Sequence, residues 1–512
     1  MSIDPRTPLV VGVGQAAERI DDPGYRAMSP VELAAAAARA ATVDCGGDPA
    51  AITAAIDTVV ATRQFENSIP QAPAPLGKSN NFPRSVTRRL GADPARAVLD
   101  KVGGQGPQQL VSEFAAGIAA GAADVVLLCG SDATSTTRHF RDAEDKPDFT
   151  ENVDGQLEDR GFGLEEFVDR YTVSHGLTGA PVQYGLLENA RRARLGLSPA
   201  AYLQSMGELF APFTAVAAAN PLSAAPVRRS VDELTTISTD NRMICDPYPR
   251  LLVARDQVNQ GAATLLMSVA AARRLGVPED RWVFLHGHAD LREQQLLARP
   301  DLSRSPAAIT AVTEALAMAG IGLDEVGGLD LYSCFPVPVF NITDAFGLAA
   351  DDPRGLTLTG GLPFFGGAGN NYSMHAIAEA VAAARTDPGR FLLVGANGGM
   401  MSKYSVGVYA TTPTPWRPGR SAELQRAADA EPTVAVTETA AGPATIETYS
   451  VRYDWPTRTG IVIGRLPDDS RFLATSEDDD AVALLSDGDP LGAPITVRAL
   501  DYGNRFSLAG AG

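Results

Sequence analysis

Residues 97–130 read AVLDKVGGQGPQQLVSEFAAGIAAGAADVVLLCG and carry the clearest fold signal in the chain. Its pattern is a strand, a turn at residues 100–106, a helix opened by Pro107 and a second strand, and this order predicts a parallel sheet. Acyl-transfer enzymes present a thiolate in a turn of this shape, because the free N–H groups and dipole of a helix N-terminus stabilise negative charge. Gly104 stands where a cysteine would be expected.

Outward from this stretch, short apolar runs alternate with alanine-rich segments. Runs rich in valine, leucine and isoleucine are typical of buried strands, and the alanine-rich segments have helical spacing. The predicted strands are 9–13, 56–61, 125–129, 264–269, 282–286, 329–333 and 391–396. The predicted helices are 31–41, 110–120, 306–318 and 374–384. The plan repeats from Trp282 onward, so we predict two similar α/β halves packed together.

The composition is that of a folded protein with several domains. Of the 512 residues, 45% are apolar and 20% are charged, which allows sizeable cores. At roughly 150 residues per domain, this length predicts about three domains. The net charge of -18 argues against nucleic acid or an anionic membrane as a partner, because both would repel the protein.

The cysteines predict neither a disulfide framework nor a metal site. The four residues lie far apart, and none is at ligand spacing from a histidine. The first residues lack a basic segment followed by a long apolar run, and no stretch approaches the roughly 18 apolar residues of a membrane span. We therefore expect a cytoplasmic protein that does not insert into membranes and has no cofactor.

Residues 136–255 look like an insertion between two strands of the first half, and they carry arginine-rich helical sequence. Arg191 and Arg192 lie on a predicted helix, and Arg229 lies in a loop. On an acidic protein, such arginines could hold the phosphates of a ligand. Equally, they could form a solvated face that pairs with nearby carboxylates. The sequence leaves both interpretations open.

The character of the chain changes after the Pro-rich stretch 413–419, which has the composition of a linker. Alternating apolar residues and turn signals follow it, and they predict a separate, mostly β domain at 420–512. Its predicted elements are a helix at 422–430 and strands at 433–439, 444–453, 460–466, 471–476 and 495–499.

Four loops follow predicted strands at the sheet edge where open α/β proteins place their sites. They are 100–106, 332–335, 360–371 and 396–399. With these loops, the chain resembles the thiolase superfamily over residues 8–412, and most closely the thiolase-like protein type 1 family, which carries an additional C-terminal domain. The resemblance implies an N-terminal half at 8–290 with a loop domain at 136–255, a C-terminal half at 291–412 and the additional domain at 420–512.

The resemblance also implies a thiolase fold, in which two mixed α/β halves form five layers (αβαβα) and the loop domain binds coenzyme A (CoA). Thiolases transfer acyl groups through a cysteine thioester, use a second cysteine as general acid/base, and form oxyanion holes with histidine or asparagine side chains. At the motif positions this chain has Gly104, Tyr332, Gly367 and Ala396. Every side chain that performs thiolase chemistry is therefore replaced.

The substitutes that the sequence offers are Cys334 and His375. A cysteine at a strand end is more often packed than reactive, and a histidine inside a helix is more often structural, so we predict no Cys–His pair. Polar groups remain that could donate to a thioester carbonyl without cleaving the thioester. They are the side chains of Tyr332, Asn370, Asn371 and Asn397 and the backbone of Gly104 and Gly398.

Two hypotheses about function remain. In the first, the chain is a pseudoenzyme of lipid metabolism that binds CoA or acyl-CoA, because losing members of a catalytic set costs several powers of ten in rate. In the alternative, it is an active acyltransferase of the acetyl-CoA acetyltransferase type that uses a non-standard mechanism. Both predict a CoA thioester ligand and a monomer or homodimer.

Overall fold

The computed structural model describes residues 3–164, 169–454 and 456–510. The strands are β1 (Pro8–Ala17), β2 (Thr58–Ala61), β3 (Arg96–Leu99), β4 (Val125–Ala133), β5 (Glu158–Asp159), β6 (Met243–Cys245), β7 (Tyr248–Pro249), β8 (Asn259–Ser268), β9 (Phe284–Arg292), β10 (Val326–Leu331), β11 (Phe391–Gly398), β12 (Lys403–Ala410), β13 (Gly442–Asp454), β14 (Thr457–Arg465), β15 (Arg471–Ser476), β16 (Pro494–Leu500) and β17 (Gly503–Leu508).

The α-helices of the described residues connect and cover these strands. They are α1 (Pro30–Asp44), α2 (Pro49–Ala55), α3 (Phe82–Leu90), α4 (Gly106–Ala119), α5 (Thr134–His139), α6 (Arg170–Ser174), α7 (Ala180–Leu195), α8 (Pro199–Ala219), α9 (Val231–Thr235), α10 (Val269–Arg274), α11 (Pro306–Ala319), α12 (Pro336–Phe346), α13 (Tyr372–Thr386), α14 (Ser421–Asp429) and α15 (Asp479–Asp487). No helix of the described part of the chain is long and apolar enough to cross a membrane.

The first half is built on a mixed six-stranded sheet with the order β1-β8-β4-β2-β3-β5. The strands that flank α4, β3 and β4, both pair with β2 in parallel, as the strand–helix–strand pattern predicts. The sheet is mixed because β8 returns antiparallel between β1 and β4. Both faces of β4 and β8 are covered, which explains their uninterrupted apolar character.

The second half has a four-stranded sheet with the order β10-β11-β12-β9. Its strand β9, Phe284–Arg292, pairs antiparallel with β12 and contains residue 290, where the sequence placed the boundary between the halves. We therefore propose that the second half begins before β9. This start agrees with the repeat of the sequence plan from Trp282 onward.

The layers explain where the core lies. Helices α4 and α13 lie between the two sheets, and their apolar side chains form one core with residues of both sheets, such as Val126 and Val394. On the outer faces, α1 packs on the first sheet and α11 on the second. The order helix, sheet, helix, sheet, helix is the predicted five-layered architecture.

The C-terminal strands form a five-stranded barrel. Strand β13 pairs with β14 and β16, β14 with β15, β15 with β17, and β17 with β16, so the ring closes. Helix α15 lies between β15 and β16 in sequence, where no helix was predicted. The predicted strand at 433–439 is wrong, because only Val436 makes an isolated bridge, to Arg471.

One face of this barrel is buried against the two-sheet α/β body. Val462 and Phe472 of β14 and β15 point into the barrel, whereas Ile461, Ile463 and Leu473 join the core formed by the inserted region and the second half. In barrels of the OB-fold kind, the second and third strands form the ligand-binding face. Here the equivalent strands pack on the chain's own body, so that face serves as an internal interface.

Candidate functional site

The turn at Gly104 has no space for a side chain. A Cβ atom placed on Gly104 would lie 2.1 Å from Tyr332 Oη and 2.7 Å from the carbonyl oxygen of Asn397. A cysteine at residue 104 would therefore collide with the tyrosine hydroxyl. The absence of a nucleophile at residue 104 and the presence of a tyrosine at residue 332 are therefore one structural feature.

Tyr332 is fixed in this position by its surroundings. It follows β10, its backbone N–H donates to the Gly395 carbonyl at 3.0 Å, and its ring packs edge-on against Tyr372 with centroids 5.3 Å apart. Burial raises the pKa of the Tyr332 hydroxyl well above its ordinary value, so the hydroxyl stays protonated. The side chain fills the base of the cleft as a neutral group.

A second tyrosine, Tyr184, completes the filling from the inserted region. It lies on α7, stacks on Phe335 with ring centroids 4.3 Å apart, and donates to the carbonyl of Gly399. Asn397 Nδ2 donates to the Tyr184 hydroxyl at 2.7 Å and lies 3.9 Å from Cys334 Sγ. Sequence reasoning missed Tyr184, because nothing in a helical segment shows which loop it will contact.

Cys334 does not have the character of a nucleophile. Burial raises the pKa of its thiol to about 12, so the thiol is protonated at neutral pH. Its polar neighbours are Tyr184 and Asn397, which are hydrogen-bonded to each other.

His375 contacts Gln15 and Phe365 rather than Cys334. Its Nδ1 atom is 2.6 Å from Gln15 Oε1, its ring packs edge-on to Phe365, and its Nε2 atom has no hydrogen-bond partner among the described residues. Burial lowers the pKa of His375 to about 3, so the imidazole is neutral. The histidine therefore serves the packing of α13, consistent with a structural role.

The remaining motif positions are closed by backbone contacts. Gly367 N–H donates to the Arg255 carbonyl at 2.8 Å, and the N–H of Ala254 donates to the Cys334 carbonyl at 2.9 Å. Gly367 and Ala396 are both buried. Gly398 lies directly on the turn, since a Cβ atom there would be 1.9 Å from Gln105 Oε1. The four loops meet as predicted, but they pack on one another.

Asn370 and Asn371 hold these loops together. Asn370 accepts from the Gly103 N–H at 2.9 Å and donates to the Arg63 carbonyl at 2.8 Å. Asn371 donates to the Gly130 carbonyl at 2.8 Å. Their polar atoms are used within the protein, so we propose no ligand contact for either side chain.

Arg191 and Arg192 are likewise used internally. Both are buried; Arg191 makes two hydrogen bonds to Asp344, at 2.7 and 2.9 Å, and its guanidinium lies 3.7 Å from the Phe340 ring centroid. Arg192 donates to the Leu197 carbonyl at 3.0 Å. These contacts argue against both sequence interpretations, a phosphate site and a solvated face, so we propose no ligand role for the pair.

A different group of arginines, Arg228, Arg229, Arg250 and Arg255, forms a basic patch that we call the Arg255 cluster. Burial and the nearby charges of Arg250 and Arg229 lower the pKa of Arg255. Within the described residues, the Arg255 guanidinium has no hydrogen bond or ion pair, whereas Arg229 lies 3.9 Å from Glu233. Arg228, Arg229 and Arg250 belong to the arginine-rich sequence of the inserted region, whereas Arg191 and Arg192 lie outside this cluster.

The Arg255 cluster lies beside the closed loops. The backbone of Arg255 bonds to Leu362 and Gly367, and Arg228 and Arg229 line an open groove of about 820 Å³ between α8 and α9. Apolar atoms dominate the walls of this groove. A partly buried cation without a partner, with further arginines near it, is an arrangement that favours an anionic ligand.

Glu188 is a buried carboxyl group at the junction of the inserted region and the second half. It accepts from Tyr202 at 2.5 Å, from Tyr248 at 2.6 Å and from the Val337 N–H at 2.9 Å. Burial outweighs these bonds and raises the pKa of Glu188 from 4.5 to about 7.

This shift predicts a pH dependence of stability. Because the folded state holds the proton more tightly than the unfolded state, the Glu188 contribution is present below pH 4.5 and is lost as the pH rises to about 7. We expect the substitution Glu188→Gln to reduce the fall in unfolding free energy across this range, by up to about 1.4 kcal/mol per pH unit. Urea denaturation of both proteins at several pH values measures it; parallel curves would contradict the assignment.

The comparisons with known proteins agree with this geometry. The family model for the thiolase-like protein type 1 additional C-terminal domain matches residues 423–501. A crystal structure described as a monomeric SCP2-thiolase-like protein type 1 from Mycobacterium smegmatis is 58% identical, covers 99% of this chain and all of its own, and superposes with a TM-score of 0.87. The chain belongs to the thiolase-like protein type 1 family.

More distant solved structures share the thiolase fold. The dimeric peroxisomal thiolase of Saccharomyces cerevisiae is 13% identical over 80% of this chain and 98% of its own, with a TM-score of 0.56. An acetyl-CoA acetyltransferase from Syntrophomonas wolfei is 13% identical over 80% of this chain and all of its own, with a TM-score of 0.54. A search of curated proteins found no match. This thiolase-like protein therefore has the thiolase body with an added domain.

Proposed function

We propose that this thiolase-like protein is a catalytically silent member of its superfamily that binds CoA or a CoA thioester. The observation that carries the proposal is the contact between Tyr332 and Gly104, because a tyrosine hydroxyl fills the place of the nucleophilic side chain. Thioester chemistry needs a thiolate and a base within hydrogen-bond reach of it. Cys334 is a protonated thiol, and His375 is bonded to Gln15, so neither supplies these roles.

The Arg255 cluster supports an anionic ligand, and CoA is the anion that the fold suggests. Guanidinium groups bind phosphates through two parallel hydrogen bonds, and the apolar groove beside Arg228 suits an adenine or pantetheine surface. The closed loops keep the thioester carbon away from any reactive group. A CoA thioester held in this way would be carried or sensed rather than cleaved, and a role in lipid metabolism follows from that ligand class.

Calorimetry with CoA tests the ligand. We expect saturable binding by the parent protein and an affinity at least about tenfold lower for Arg255→Gln, because one charge-assisted hydrogen bond contributes about 1.5–3 kcal/mol. Arg274→Gln, an exposed arginine on α10, is the matched control and should bind as the parent does. Absence of binding by the parent protein would overturn the CoA proposal.

We also propose that the protein is a monomer. The outer edge of β3 is partly covered, because Val98 and Leu99 pair with β5 and the Arg160 N–H donates to the Leu99 carbonyl at 3.0 Å, so these groups are not available to a partner strand. The Mycobacterium smegmatis relative is described as monomeric. Light scattering coupled to size-exclusion chromatography should give the mass of one chain; the mass of two would contradict the proposal.

The alternative is an active acyltransferase with a non-standard mechanism. It would require an acyl group on one of the cysteines or on another side chain. The four cysteines, including Cys334, are all buried. We therefore favour the silent interpretation, and an acyl adduct after incubation with acetyl-CoA would distinguish the two.

A further inference from the structure

A cavity of about 460 Å³ lies beside the Gly104 turn, between α4, the edge of the second sheet and α14. One wall is a helical stripe formed by Gln105, Gln109 and Glu113, which are spaced four residues apart and so share a face of α4. A volume of this size suits a small organic molecule.

The facing wall is a four-residue patch on β9 and β12. Asp290 is paired with Ser405, and Arg292 with Lys403, so the four side chains lie in two cross-strand pairs on one face of the sheet. All four line the cavity. A carboxylate and a guanidinium thus stand two residues apart on the same strand, about 7 Å along it.

One acceptor atom of this lining has no donor. Asp290 Oδ1 is buried and has no hydrogen-bond partner among the described residues, whereas Gln105 Oε1, which also lacks one, packs against Gly103 and Gly398 of the turn. An unpaired buried acceptor costs about 1–3 kcal/mol, more when it is charged. A ligand that brings hydrogen-bond donors, and above all a positive charge, would remove this cost.

The rim of the cavity carries a positive charge. Arg292 is exposed, and its side chain makes no hydrogen bond or ion pair within the described part of the chain. Deeper in, Asp100 accepts from Arg160 at 3.3 Å, so that charge is already compensated. The cavity therefore offers a carboxyl group with one unpaired oxygen inside and an uncommitted guanidinium at its mouth.

The covering helix joins this cavity to the additional domain. Ser421 Oγ accepts from the Asp290 backbone N–H at 3.0 Å, and Gln425 Oε1 accepts from the Arg292 N–H at 2.7 Å. These bonds hold the first turns of α14 along the edge of β9. The site thus takes its walls from the thiolase body and its cover from a helix that overlaps the start of the family-model match.

We propose that this cavity binds a small zwitterion of the α-amino acid type, with its ammonium group at Asp290 and its carboxylate at Arg292. An ammonium group supplies a donor for the unpaired oxygen of Asp290, and the guanidinium can bind a carboxylate through two hydrogen bonds. The mixed charges of the lining suit a ligand that carries both signs. The site is independent of the CoA groove.

A binding panel tests the proposal. Each of the twenty standard amino acids is added at millimolar concentration to the full-length protein, and the shift in melting temperature is measured. Binding of any amino acid that raises the melting temperature is then measured by titration calorimetry. At least one amino acid should bind saturably, and Asp290→Asn and Arg292→Gln should each weaken that binding about tenfold or more. Arg274→Gln is the control that should not change it.

Several outcomes would overturn the inference. They are the absence of a saturable ligand in the panel, unchanged binding by both variants, or equal binding of simple primary amines that lack a carboxylate. Because Arg292 is exposed, its variant will fold and keeps the test decisive even if Asp290→Asn is unstable. The melting temperature of each ligand-free variant verifies its folding.

Discussion

Replacing Gly104 with alanine is expected to lower the free energy of unfolding by about 2–3 kcal/mol, although the change adds one methyl group. The new Cβ atom would lie 2.1 Å from Tyr332 Oη and 2.5 Å from its Cζ atom, and overpacking a buried site costs about 1–3 kcal/mol. The backbone at Gly104 does not have a positive φ, so conformational strain makes no contribution. Urea denaturation measures the loss.

A double-mutant cycle assigns this cost to the tyrosine. Tyr332→Ala is itself destabilising, by about 3–5 kcal/mol, but in that background the alanine at residue 104 should cost much less, so the two substitutions should couple by about 1–2 kcal/mol. Gly117→Ala is the matched control: it lies on the same α4 helix, has open space around it, and should stabilise by about 0.5–1 kcal/mol. Additive effects of residues 104 and 332 would refute the steric account.

Replacing Arg471 with methionine is expected to destabilise the protein by about 3–5 kcal/mol, because it breaks a buried ion pair from one side. Arg471 is fully buried and donates to Glu447 at 2.6 and 2.9 Å. It also donates to the carbonyls of Leu297 at 2.7 Å and Arg299 at 2.6 Å, which belong to the thiolase body. This one side chain therefore ties the barrel to the body.

Arg465 provides the matched control for that prediction. It also donates to Glu447, at 2.7 Å, but it is partly exposed and its remaining bonds lie within the barrel. We expect Arg465→Met to cost about 1 kcal/mol or less. Denaturation followed by tryptophan fluorescence compares the two variants, and equal losses would show that the contacts with Leu297 and Arg299 contribute little.

The α/β body could be predicted because its signals are local. Local sequence predicts the conformation of the turn at 100–106, of α4 with its opening proline, and of the apolar strands β4 and β8. The layers follow from the order of these elements. The barrel was harder: residues 433–439 alternate like a strand but make a single bridge, from Val436 to Arg471. Pairing is a tertiary property that alternation does not encode.

The candidate site, like the fold, could be predicted from the sequence only in part. The four loops could be placed together from the ends of the predicted strands, but whether a cleft opened between them depended on Tyr184, which comes from a helix far away in sequence. Arg191 and Arg192 misled for a related reason: a cluster of arginines on a helix gives no sign that Asp344 will bind one of them. Nothing in the sequence distinguished Arg255 as a candidate ligand contact, apart from its position shortly before β8.

Intact-protein mass spectrometry after incubation with acetyl-CoA tests the central claim most directly. Because Tyr332 fills the place of the nucleophile and the four cysteines are buried, we predict that the mass of the protein stays unchanged. A thiolase with an intact nucleophile, treated in parallel, shows that the assay detects an acetyl adduct. An acetyl group on any side chain of this protein, and above all on Cys334, would contradict the account.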